Sequence, residues 1–156
     1  MTKLDLLWMN WTHIDNITGC FVLNDNAPKE AIESYAHYRK QIIDIDKRTK
    51  RSFIVYKSAE GEQWCNENYF DTDYSHETEH YIIYVIPYEE FCALRKLEDI
   101  DELLDEYESK HLSTSKIKHF IKLLEKNASD FNQTINMLDM ALKYNTYISF
   151  GEDHII

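Results

Sequence analysis

The amino-acid sequence predicts an α+β fold, with a small mixed or antiparallel sheet from the N-terminal half packed against helices and a largely helical C-terminal half. Three observations carry that expectation. Runs of β-branched and aromatic residues come early, as at Ser52–Lys57 and Tyr81–Ile86. Three- and four-residue apolar spacing follows each of the two prolines, Pro28 and Pro87. The last third carries an unbroken heptad pattern. Strands that cluster early and helices that cluster late point to α+β rather than an alternating α/β chain.

In chain order, Leu4–Trp11 and Ile17–Leu23 are expected as strands, separated by Asn, Asp, Thr and Gly. Asn24–Pro28 combines cap-type residues with an early proline, which starts a helix running to about Lys47. Its apolar face is Ala31, Tyr35, Tyr38, Ile42 and Ile45. After the Ser52–Lys57 strand, Ala59-Glu60-Gly61-Glu62 resembles a hairpin turn into Gln63–Cys65. Asn66–Glu79 is acidic and aromatic and is expected as a long loop. Tyr81–Ile86 is a continuous apolar run, as in a central strand covered on both faces. Pro87 ends it and opens a helix over Tyr88–Leu97. A further helix uses Leu97, Ile100, Leu103, Leu104 and Tyr107 as its stripe. Ser113 or Ser115 caps the last helical region, Lys126–Asp130 breaks it with Ser129 as a second cap, and Thr146–Phe150 is a final strand.

The 156 residues suit a single domain over 1–156, able to bury a core without a disulfide or metal. Neither a membrane span nor a signal peptide is expected. Three widely spaced cysteines, Cys20, Cys65 and Cys92, point to free thiols in a reducing, cytoplasmic setting. The three glycines are isolated from one another. Phosphate-cradling loops need clustered glycines so that backbone amides can approach an anion, so nucleotide cofactor fingerprints are excluded and no cofactor is expected.

Charge is the most uneven property of the chain. Glu60 to Glu108 holds 16 acidic residues against Arg95 and Lys96, a formal charge of −14, whereas the other 107 residues sum to +3. One reading is a solvated helix face and an acidic loop that favour solubility. The functional reading is a docking surface for a basic protein, since complementary potentials speed encounter and reject wrong partners. Interleaved Trp and Tyr favour it, because they bury large area with few rotors. The expected contacts are Glu67, Asp71, Asp73, Glu77, Asp101, Glu102, Asp105 and Glu106, with Trp64, Tyr69 and Tyr74 as anchors. Direct nucleic-acid binding is disfavoured, since a phosphate backbone calls for a basic footprint. Carboxylates standing in for phosphates instead suit a non-enzymatic inhibitor, of immunity or anti-defence type, that blocks a nuclease or another basic nucleic-acid-binding protein.

Two alternatives arise from motifs. His76-Glu77-Thr78-Glu79-His80 matches H-E-x-x-H, which on a helix sets two imidazoles on one face for zinc with the Glu as general base. It would make the chain a zinc hydrolase, with Glu98 or Asp99 as a third ligand. The heptad seam Ile117, Ile121, Leu124, Ala128, Phe131, Ile135, Leu138 and Leu142 either packs on the chain's own core or joins two copies as a dimeric subunit. Its lysine flank, Lys116, Lys118, Lys122 and Lys126, is placed to meet the acidic helix in an antiparallel hairpin through Ser109–Thr114.

Overall fold

The computed structural model describes residues 3–68, 76–106 and 108–153. The chain divides into two compact units, Met1–Arg48 and Thr49–Ile156.

The first unit is built round Trp8. A 3₁₀ helix over Lys3–Trp11 leads into a two-stranded hairpin, β1 (Thr12–Ile14) and β2 (Phe21–Leu23), and then into α1 (Lys29–Arg48). The strand expected over Leu4–Trp11 is therefore helical. Its apolar residues do not alternate strictly, and a short apolar run fits either period. Trp8 faces inward and stacks on Tyr38 of α1 with ring centroids 4.2 Å apart, meeting Tyr35 and Phe21 edge-on. Only the second half of the strand expected over Ile17–Leu23 forms. Asp15 accepts hydrogen bonds from the backbone N–H groups of Ile17 and Thr18 and from the Thr18 hydroxyl, and Gly19 takes φ +68°. Those bonds hold the residues before β2 in a turn.

The second unit is a four-stranded antiparallel sheet in the order β4-β3-β6-β5, formed by β3 (Lys50–Tyr56), β4 (Tyr81–Ile86), β5 (Lys110–His111) and β6 (Tyr147–Asp153). Tyr81–Ile86 is thus an edge strand, not a central one. It is apolar throughout because both faces of the sheet are used. Phe53, Val55, Ile86, Ile148 and Phe150 join the larger core beneath α4 (Thr114–Glu125) and α5 (Asn132–Tyr144), whereas Ile54, Tyr56, Tyr81 and Ile83 form a second cluster with Cys65 of α2 (Ala59–Glu67). Ile117, Leu124, Phe131 and Leu138 of the heptad seam lie in the larger core, so the seam packs inside its own unit.

Two further expectations change. Ala59–Glu62 opens α2 instead of turning a hairpin: the Ser58 side chain accepts from Gly61 N–H at 2.9 Å, and Glu60 and Glu62 stand in the positive first turn. The helix expected after Leu97 is a 3₁₀ helix, Glu98–Leu104, whose buried Ile100 and Leu103 keep a three-residue spacing. The helical hairpin through Ser109–Thr114 is replaced by β5 and by Ser113, whose side chain accepts from Lys116 N–H and caps α4.

Two polar devices lock the unit together. At one end of the sheet Arg51, 5 % exposed, donates to Glu152 at 2.7 Å and lies 3.8 Å over the Phe91 ring of α3 (Tyr88–Arg95). The second device is Glu90 of α3, which is 6 % exposed. Its Oε1 accepts from the Thr134 N–H at 2.8 Å and from the Thr134 hydroxyl at 2.9 Å, and Oε2 accepts from Gln133 N–H at 3.4 Å. Phe131, at the cap position of α5, makes no side-chain cap bond, and Ser129 lies inside the preceding 3₁₀ turn Ala128–Asp130. The carboxylate of another helix thus supplies the cap that Ser129 was expected to give. Glu90→Ala strands two buried donors at the helix start and is expected to lower stability by about 2–4 kcal/mol, with Glu90→Gln costing less because its amide oxygen still accepts. Urea unfolding of the three proteins measures this.

Candidate functional site: the acidic end of the sheet

Strand register decides which acidic segments meet. Tyr56 pairs with Tyr81, Val55 with Ile148, Lys110 with Ile148 and His111 with Tyr147. The start of α2 and the turn before β4 therefore come to one end of the sheet, while the segment before β5 runs away from that end alongside β6 and is tied to α2 by the bond from Ser109 to Glu62.

α2 presents two acidic flanks. Gly61 and Cys65 point inward, and Cys65 is buried, which pushes its thiol up to about 11. On one flank Glu60, Trp64 and Glu67 share a helical face. Trp64, 39 % exposed, stacks on His80 with centroids 4.4 Å apart, and Glu79 lies 3.2 Å from His80 Nε2. Gly61 makes this approach possible: a Cβ there would stand 2.7 Å from the His80 carbonyl oxygen. On the other flank Glu62 accepts from Asn66 and, at 2.7 Å, from Ser109. Glu62, Asn66, Glu108, Ser109 and Tyr147 line a polar cleft of about 430 Å³. Lys110 next in line donates to the main-chain carbonyls of Glu102 and Asp105, which binds the 3₁₀ helix Glu98–Leu104 to the same region. α2 packs with the cluster on one sheet face, while Ile100 and Leu103 of the 3₁₀ helix pack with the other. The carboxylates are accordingly divided between the two faces of the sheet instead of tiling one flat surface.

The anticipated contact residues fare differently. Trp64, Glu67 and Asp101 are exposed, Glu67 accepting a bond from Gln63 on its own helix. Asp105 and Glu106 are exposed beyond the 3₁₀ helix. Glu77 is engaged by Lys57 at 2.7 Å and Glu102 by Lys116, so two of the carboxylates are partly neutralised by the chain itself. Tyr69, Asp71, Asp73 and Tyr74 lie outside the described residues. Sequence reading did not name Glu60, Glu62 and Glu108 as contacts and gave His80 only as a zinc ligand, although Ser58 followed by acids in the first turn was the signal for α2.

The H-E-x-x-H segment is not helical. Glu77 bridges to Ile82, Ile83 N–H donates to the His76 carbonyl, and His80 is taken by Trp64. Among the described residues no three His, Cys, Asp or Glu side chains come together as metal ligands. No described helix is long and apolar enough to cross a membrane. Comparison of the chain with protein-family models, with curated proteins and with solved structures gives no match.

Lys57 holds the Glu77 carboxyl below its ordinary value of 4.5, and Glu77 in turn raises Lys57 above 10.5. A depressed carboxyl contributes above its unfolded value, and the contribution is lost as pH falls through the folded one. Carbon-detected NMR titration is expected to place Glu77 below 4.5, and Lys57→Met to return it upward. Gly61→Ala is expected to part Trp64 from His80, read as loss of the ring-current shift on the His80 ring protons, with about 1–3 kcal/mol of destabilisation.

Proposed function

We propose that the chain is a non-enzymatic binding factor that blocks a basic, nucleic-acid-handling protein, its carboxylates occupying places that phosphates would take. The observation that supports this is that α2 meets the turn 76–80 through Trp64 and His80 and the segment 108–110 through the bond from Ser109 to Glu62, with Trp64 itself exposed. Trp64 offers a π-face to a lysine or arginine, and Glu60 and Glu67 beside it hold the cation there. The cleft between Glu62 and Glu108 accepts a second basic side chain, with the Ser109 and Tyr147 hydroxyls as further hydrogen-bonding groups. Binding of this kind is an inhibitor's: the surface provides charge and shape without needing a nucleophile or a general base. It suits an immunity or anti-defence factor that competes with nucleic acid for a cationic groove.

The immobilised chain, offered a host extract at low salt, is expected to retain a basic protein that elutes as salt rises past about 0.3 M, since screening shortens to a few ångströms. Trp64→Ala is expected to weaken retention 10-fold or more, and Glu60→Lys/Glu67→Lys to abolish it. Retention that ignores salt, or that survives both variants unchanged, overturns the reading.

A further inference from the structure

Trp64 has one π-face to offer, because His80 covers the other. The two rings stack with centroids 4.4 Å apart and planes 17° from parallel. The backbone of His80 is held from three sides. Its N–H donates to the Thr78 hydroxyl at 3.1 Å, its carbonyl accepts from the Lys57 N–H at 2.9 Å, and that carbonyl lies against Gly61 at the start of α2. The imidazole is therefore a platform fixed in the fold. An exposed tryptophan on a bare helix spreads over several rotamers, whereas one laid on a fixed ring is already in place when a ligand arrives.

This platform is a group that takes up charge in mild acid, since an imidazole ordinarily titrates at about pH 6.5. The His80 side chain is 25 % exposed, and its Nε2 lies 3.2 Å from the exposed Glu79 carboxylate, which stands ready as a counter-ion. Glu60 and Glu67 stand on the Trp64 face of α2. Lys57 and Glu77, in β3's exit and the same turn, keep each other charged, their hydrogen bond raising the one and lowering the other. Cys65 and Tyr81, in the cluster beneath α2, stay neutral, burial pushing the thiol up to about 11 and raising the phenol. His76, at the far side of the turn, is exposed. A proton on His80 opposes a cation on the open face of Trp64 in two ways. The two positive groups flank one ring and repel, and the imidazolium takes Glu79 for itself. Bound cation and bound proton therefore weaken each other.

We propose that His80 is the positioning residue of Trp64, and that protonation of His80 releases the basic partner, so that the surface holds it near neutral pH and lets it go in mild acid. The proposal rests on the reading of Trp64 as the ring that receives the partner's cation.

Hexa-arginine serves as the probe, its binding to the purified chain measured by calorimetry in low salt at about pH 7.5 and about pH 5.5, on either side of the imidazole range. The wild-type chain is expected to bind it roughly 3- to 10-fold more weakly at the lower pH. His80→Phe keeps a ring beneath Trp64 but takes no proton, and is expected to bind at both pH values as the wild type does at the higher one. His80→Ala loses the platform, and is expected to bind weakly at both without a pH step. His76→Asn is expected to keep the step. In the free chain, the emission of Trp64, taken as wild type minus Trp64→Phe, is expected to fall on acidification, because an imidazolium quenches an indole more strongly than a neutral imidazole does; in His80→Ala it is expected to stay level. Equal wild-type binding at the two pH values, a step that persists in His80→Phe, or Trp64 emission that ignores pH overturns the proposal and leaves the partner-binding reading standing. A wild-type chain that takes up no hexa-arginine at either pH overturns that reading, and the release proposal with it.

Discussion

The second unit is organised round the Glu90 carboxylate at the start of α5. A buried charge is costly unless paired, and here the two amides of an otherwise uncapped helix and a threonine hydroxyl accommodate it. The arrangement serves both partners: the helix gains an acceptor where its dipole is positive, and the carboxylate gains donors that water can no longer provide. It also joins α3, which directly follows the edge strand, to α5, which packs across β3 and β4. With α5 fixed, Met137, Leu138 and Ala141 are set against the sheet, and the strand register that gathers the acidic segments is held from one side.

That lock also marks the limit of what could be read from the linear sequence. α1, β3, β4, α3 and α4 were legible because each carries its own period and its own stop signal, such as Pro28, Pro87 or Ser113. The break in the heptad was legible as well, but not its cap, since Ser129 is the local candidate and the acceptor used is 44 positions away. α2 was misread because Gly61 looks like a turn residue. Its reason is steric, the approach of the His80 carbonyl, which only the folded chain reveals. The Lys3–Trp11 helix was misread because six apolar residues in nine leave period 2 and period 3 equally plausible.

For the site, composition located the acidic stretch, and topology decided its shape. Register brings Glu60 and Glu79 to one end of the sheet, the bond from Ser109 to Glu62 brings Glu108 beside α2, and α2 and the 3₁₀ helix divide the carboxylates between the two sheet faces. Lys57, Lys110 and Lys116 temper the repulsion that such crowding creates, each bridging two segments.

The strand order has a consequence for biogenesis. β3 lies inside the sheet, yet its neighbour β6 begins only at Tyr147, after two further helices. While the nascent chain is emerging from the ribosome, β3 and β4 can pair, but the other edge of β3 stays bare until residues beyond 146 are free. Ser52–Tyr56, apolar and β-branched at its centre, is then open to strands of other chains. During that interval folding of the unit competes with association through the bare edge of β3.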